Sequence, residues 1–106
     1  MVYIVDTVQV DPKDADEYVR AVETMGVPVM TGAGARFVSC ATTTADVGEP
    51  VSIQTTWAAK DHVEWNDIRK NMVLNPAWYE YAGKISGLWQ GGCRRFFYPT
   101  AASPER

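Results

Sequence analysis

WAAKDHVEWNDIRKNMVLNPAW, residues 57–78, decides how the rest of the chain is read. It opens on the end of a β-rich run, crosses a charged junction at Lys60 and Asp61, and then changes period. Trp65, Ile68 and Met72 recur at i, i+3 and i+7, the spacing of one face of an α-helix. Asp61 falls on the same stripe and His62 and Arg69 beside it, while Glu64, Asp67 and Lys70 fall opposite. Asn75-Pro76 then signals a new helix start: an amide oxygen can accept from the free N–H groups of a first turn, and proline suits the position after it. Beyond it Trp78, Tyr81, Ala82, Ile85 and Leu88 form a second inward stripe, with Glu80 and Lys84 as an outward pair. The segment holds the chain's one histidine and three of its four tryptophans, so chemistry is sought here first.

Working outward, EPVSIQTTWA (49–58) alternates Val51, Ile53, Thr55 and Trp57 with Ser52, Gln54 and Thr56. ARFVSCATTT (35–44) precedes it across a short ADVG connection, and the two read as an antiparallel hairpin. The start, VYIVDTVQV (2–10), is a strand with Val2, Ile4, Asp6, Val8 and Val10 on one face and Tyr3, Val5, Thr7 and Gln9 on the other. Both faces are too apolar for open solvent. Asp11-Pro12 begins a helix expected to run to about Gly26, with Ala15, Tyr18, Val22 and Met25 inward and Asp16 and Arg20 paired outside. Pro28 reads as a break, and Gly32 and Gly34 as the turn into the next strand. GGCRRFFYP (91–99) is the last strand, and residues 100–106 read as a loosely ordered tail.

The order β-α-β-β-α-β is the α+β, ferredoxin-like arrangement: a four-stranded antiparallel sheet with helices on one face, the second helical region split in two at Asn75-Pro76. The other sheet face, with Tyr3, Val5 and Thr7, needs cover. A second copy of the chain is the simplest cover, giving a symmetric homodimer with its sheets face to face.

Composition bounds the function classes. One hundred and six residues make a single domain, 1–106, large enough to bury its own core, and 46% hydrophobic with 22% charged residues is ordinary for a globular protein. No apolar run approaches the roughly 18 residues of a membrane span, and the start lacks a signal peptide's basic and apolar regions, so a cytoplasmic protein is expected. A net charge of -3 with scattered basic residues argues against a nucleic-acid partner. Cys40 and Cys93 have no CxxC or histidine company and read as thiols of a reducing compartment. One histidine and no clustered acids make a poor set of metal ligands, and GAG at 32–34 precedes a strand rather than a helix, unlike a phosphate loop.

Three residues are candidates for chemistry. His62 can take or give a proton near neutral pH and sits at the edge of the inward stripe; the plainer reading is a surface histidine. Asp6 is the one carboxylate on a face of Val and Ile, where it could be a base, could orient His62, or could be held structurally by an arginine or backbone N–H groups. Tyr79 flanks the stripe after Asn75 and could donate to a substrate oxygen, unless it only packs. Trp57, Trp65 and Trp78 are core or pocket wall and would suit a flat apolar ligand. Arg69 could bind a substrate carboxylate, though a salt bridge to Asp61 or another acid is the ordinary alternative.

The hairpin strand ending in Trp57, the charged helix with Arg69, Asn75-Pro76-Ala77-Trp78, and a final strand running into Pro99 and Ser103-Pro104 together resemble the NIPSNAP-like branch of the dimeric α/β-barrel superfamily. Asn75-Pro76-Ala77-Trp78 stands where that family carries Asp-Pro-x-Trp. The resemblance implies a homodimer with a small-molecule pocket in each subunit, between sheet and helices. Relatives include cofactor-independent cyclases, isomerases, lyases, monooxygenases and haem-binding members. The expectation is a cofactor-independent enzyme moving protons on a hydrophobic, carbonyl-bearing molecule of polyketide, aromatic or terpenoid type. The alternatives are a cofactor-free monooxygenase and a non-catalytic small-molecule or haem-binding module with His62 as axial ligand.

Overall fold

β1 (Val2–Val10) is the strand on which the others assemble. It pairs antiparallel with β3 (Val51–Ala59) on one side and β4 (Trp89–Phe97) on the other, and β2 (Arg36–Thr42) completes the order β2-β3-β1-β4. Among the described residues four α-helices, α1 (Ala15–Ala21), α2 (Val27–Gly32), α3 (His62–Val73) and α4 (Pro76–Ser86), supply the second layer. The computed structural model describes residues 1–102, so Ser103 and Pro104 of the expected pattern lie outside the described residues. The arrangement is the ferredoxin-like α+β fold expected from the order of elements, and no helix among the described residues is long and apolar enough to cross a membrane.

The second helical region splits where Asn75-Pro76 placed the break, because Asn75 Oδ1 accepts from the Ala77 N–H at 3.0 Å and starts α4 afresh. Asp61 does the same for α3, accepting from the Glu64 N–H at 2.9 Å. That cap occupies the carboxylate expected to pair with Arg69, and Arg69 lies exposed. The first helical region differs from expectation. It runs on through Pro28 to Gly32, because a π turn over Val22–Gly26, with the Val27 N–H reaching Val22 O, widens the backbone just ahead of the proline. Proline lacks an N–H and its ring crowds the preceding turn; a wide turn there accommodates both. Lys84 also departs from expectation, pairing with Glu17 of α1 at 2.5 Å rather than with Glu80. Both side chains are nearly half exposed, so the pair adds little stability.

β4 starts two residues earlier than expected, with Trp89 paired to Val10 across a register shift. Its fit to β1 depends on Gly92, where a Cβ would lie 2.8 Å from Thr7 O and 2.9 Å from Val8 Cγ1. In the hairpin, β2 and β3 are joined by a longer loop than ADVG alone, and a bulge falls between Phe37 and Ser39.

Burial divides the helix-covered face into two cores. Val2, Ile4, Trp57, Trp65, Ile68 and Met72 gather under α2 and α3; Val8, Val10, Tyr18, Val22, Ile53, Tyr81 and Ile85 gather under α1 and α4. Between them the strand registers align a row of four side chains on the same face: Cys40 opposite Thr55, Thr55 opposite Asp6, Asp6 opposite Arg94. This polar row crosses the whole sheet. Thr55, only 2% exposed, donates to Cys40 Sγ at 3.7 Å. The opposite sheet face carries Tyr3 and Thr7, half-buried, and Val5, 9% exposed, and no helix among the described residues packs on it: the molecule is 19 Å thick, one sheet and one helical layer.

Candidate functional site

The polar row ends in a cavity. A space of about 450 Å³ lies between β1, β4 and α4, walled by Val8, Trp78, Ala82, Ile85, Trp89 and Gly92, with Asp6 and Arg94 as its charged side chains. α4 supplies Trp78, Ala82 and Ile85 because they fall on one helical face, and β1 and β4 supply Asp6 and Arg94 because antiparallel pairing sets them side by side. A mostly apolar concavity with a few convergent polar groups is the form of a small-molecule site.

Asp6 and Arg94 meet in a bidentate pair: Nε donates to Oδ1 at 2.6 Å and Nη2 to Oδ2 at 3.0 Å. Arg94 is held from a third direction, its guanidinium 5.3 Å over the Trp65 ring. Nη1 has no protein partner among the described residues. Each Asp6 oxygen keeps a second lone pair. The site thus presents an acceptor and a donor side by side within an apolar wall, an arrangement that can receive a proton and hold the resulting oxyanion.

The expected site residues separate in the structure. Asp6 and Trp78 line the cavity. Trp57 and Trp65, 1% and 2% exposed, are core: Trp57 meets Phe37 edge-on and Trp65 supports Arg94. His62 is exposed at the start of α3, where its Nε2 is hydrogen-bonded to the Tyr98 hydroxyl and its ring packs on Phe96. Asp6 therefore orients Arg94, not His62, whose partner is a phenol. Tyr79 donates its hydroxyl to Val73 O at 3.0 Å, closing the end of α3, and is 60% exposed. Arg69 borders a surface hollow with Asn66, Lys70 and Val73, away from the cavity. Among the described residues no three His, Cys, Asp or Glu side chains group closely enough to hold a metal ion.

Sequence reasoning missed Arg94, Trp89 and the nearness of Tyr18 and Tyr81 to the charged pair. Burial is the main cause that raises both phenols above their usual range, and Asp6 raises each of them further. The signal for Arg94 lay in the topology: the first and last strands of this fold are neighbours, so the lone acid on β1 needed a partner from β4.

No family model matches the chain, and no curated protein does. Solved structures do. An uncharacterised NIPSNAP-domain protein from Burkholderia xenovorans superposes with a TM-score of 0.81 at 22% identity, covering 99% of this chain and 100% of its own. A NIPSNAP family protein from Agrobacterium tumefaciens gives 0.80 at 16%, covering 99% and 98%. SnoaB, a cofactor-independent oxygenase from Streptomyces nogalater, gives 0.63 at 15%, covering 98% and 97%. The fold of this chain is that of the NIPSNAP-domain proteins, within the wider ferredoxin-like architecture it shares with the oxygenases.

Proposed function

We propose that the protein is a small-molecule enzyme that binds a flat, largely apolar, carbonyl-bearing compound in the Asp6–Arg94 cavity and moves a proton on it without an organic cofactor. The observation that carries this reading is the bidentate carboxylate–guanidinium pair set into an apolar wall between Trp78 and Trp89. The substrate carbonyl oxygen accepts from Arg94 Nη1, and a proton on the adjacent carbon passes to a free lone pair of Asp6. The Arg94 and Asp6 side chains are 35% and 23% exposed, so a bound ligand itself completes the exclusion of water that strengthens both interactions. The enolate so formed can close a ring, shift a double bond or expel a leaving group, the proton returning from Asp6. An apolar lining of this size is what supports polyketide, aromatic or terpenoid-like ketones as the ligand class.

The experiment is proton exchange. A panel of aryl methyl ketones and 1,3-diketones in D2O is followed by loss of the α-proton NMR signal with wild type, Asp6→Asn and His62→Ala. Wild type should exchange at least one member faster than buffer, Asp6→Asn should lose about 10²- to 10⁴-fold of that acceleration, and His62→Ala should keep it. A wild-type protein that accelerates none, or an Asp6→Asn variant that keeps the rate, refutes the reading. The fold shared with a cofactor-independent oxygenase favours a second reading, in which the same carbanion meets molecular oxygen. Oxygen consumption with substrate separates the two, and a ligand recovered unchanged identifies a binding module instead. The sheet face with Tyr3, Val5 and Thr7, turned away from the helices, suits a second copy of the chain, making a homodimer. Cys40 and Cys93, both free, suit a cytoplasmic setting.

A further inference from the structure

Trp89 is placed unlike the chain's other three tryptophans. Trp57 meets Phe37, Trp65 lies beneath Arg94 and beside Phe96, and Trp78 packs on Tyr81. Trp89 has no aromatic ring against it among the described residues and is 44% exposed, although it walls the cavity. An indole left this open gains free energy from whatever comes to cover it.

Strict alternation along β4 would turn Trp89 the other way. Arg94 and Gly92 stand opposite Asp6 and Val8 on the helix-covered face, so position 90 falls on that face too and position 89 on the far one. The register shift reverses this. Gln9 pairs with Gly91 but Val10 with Trp89, so Gln90 is an extra residue, a β-bulge, and Trp89 comes opposite the fully buried Val10. It thereby joins Val8, Trp78 and Ile85 in the cavity wall. A second copy of the chain seated on the opposite sheet face lies across the sheet from Trp89, so the occupant of the cavity is what covers the ring. Trp78 is the fixed wall, held by Tyr81; Trp89 is the open one.

We infer that Trp89 is the specificity-determining residue of the cavity: the flat face of an aryl ketone stacks on its indole while the carbonyl reaches Asp6 and Arg94. This rests on the reading of the cavity as a ligand site, and narrows the ligand from apolar ketones in general to aromatic ones. Asp6 and Val10, the partners of Arg94 and Trp89, are four residues apart on β1. That is roughly 13 Å of strand, a length suited to a fused two-ring ketone together with the reach of the two side chains.

The test measures binding of methyl 2-naphthyl ketone and of its decahydro counterpart, which keeps the carbonyl and the two-ring skeleton but has no flat π face. Isothermal titration calorimetry is run on wild type, Trp89→Leu, Trp89→Phe and Arg94→Leu, with thermal melts to confirm that each variant folds. Wild type should prefer the aryl ketone. Trp89→Leu should lose about two- to tenfold of aryl-ketone affinity and less than about twofold for the saturated ketone, and Trp89→Phe should keep most of the preference. Arg94→Leu should weaken both ketones alike, since both carry the carbonyl. In wild type the Trp89 indole N–H NMR signal, identified by its absence from Trp89→Phe, should move further with the aryl ketone than with the saturated one. No preference in wild type, equal loss of both ketones in Trp89→Leu, or an unmoved Trp89 signal overturns the inference. If Arg94→Leu weakens both ketones and Trp89→Leu keeps the aryl preference, the cavity reading stands and this extension falls. If wild type binds neither ketone, both fall together.

Discussion

Replacing Gly26 by Ala tests the packing on which the site rests. In an ordinary helix the change would stabilise by roughly 0.5–1 kcal/mol, because glycine loses more backbone freedom on folding. Here the new methyl would stand 2.6, 2.8 and 2.9 Å from Cζ, Oη and Cε1 of Tyr81, against the roughly 3.5–4 Å of an ordinary carbon contact. About 1 Å must open. The Tyr81 ring is the movable partner, but it is buried and held by Trp78, so it cannot swing aside without disturbing the cavity wall. Overpacking of this kind costs about 1–3 kcal/mol. Subtracting the helix gain leaves a net loss centred on about 1 kcal/mol, a fall of roughly 5 °C in melting temperature for a domain of this size. Urea and thermal melts of Gly26→Ala measure it, and the same change in a Tyr81→Leu background should stabilise by about 0.5–1 kcal/mol, since the clashing ring tip is gone and the helix gain remains. A Gly26→Ala protein as stable as wild type, or an equal loss in both backgrounds, refutes the argument.

Two further outcomes follow from the same geometry. Tyr18 and Tyr81 are raised above their unfolded value of about 10 by burial first and nearby negative charge second, so the stability they contribute is fully present below pH 10 and declines as pH rises beyond it. Each should remove about 1.4 kcal/mol per pH unit there, read as a falling urea midpoint, and their tyrosinate absorbance at 295 nm should appear only with unfolding. Tyr3→Arg, on the sheet face away from the helices, should convert a particle of about twice 11.8 kDa to one of 11.8 kDa by light scattering; an unchanged mass places the interface elsewhere.

Period and punctuation carried the fold. The stripes Trp65–Ile68–Met72 and Trp78–Tyr81–Ile85 are the buried faces of α3 and α4, and the Asn75-Pro76 start is where the chain breaks. Pro28 misled because a proline's effect depends on the turn before it, and a π turn has no signature in residue types. The site was half legible. Asp6 stood out as a charge on an apolar strand face, but its partner lies 88 positions away, and only the register of β1 against β4 reveals it. His62 drew the eye for its chemistry; its surroundings, Tyr98 and Phe96, come from a segment no local pattern links to α3.

That separation between Asp6 and Arg94 also orders events in time. The strand bearing Asp6 is synthesised first and the one bearing Arg94 last, and their pairing is the contact with the longest reach along the chain. Until β4 docks there is no cavity, so a nascent or partly unfolded chain has nothing to offer a ligand. Ligand binding can then act only on the finished molecule, stabilising it by an amount that grows with the logarithm of ligand concentration. Under the proposed function, a compound that fills the cavity would act as a latch on the last strand, slowing the fraying of β4 from β1.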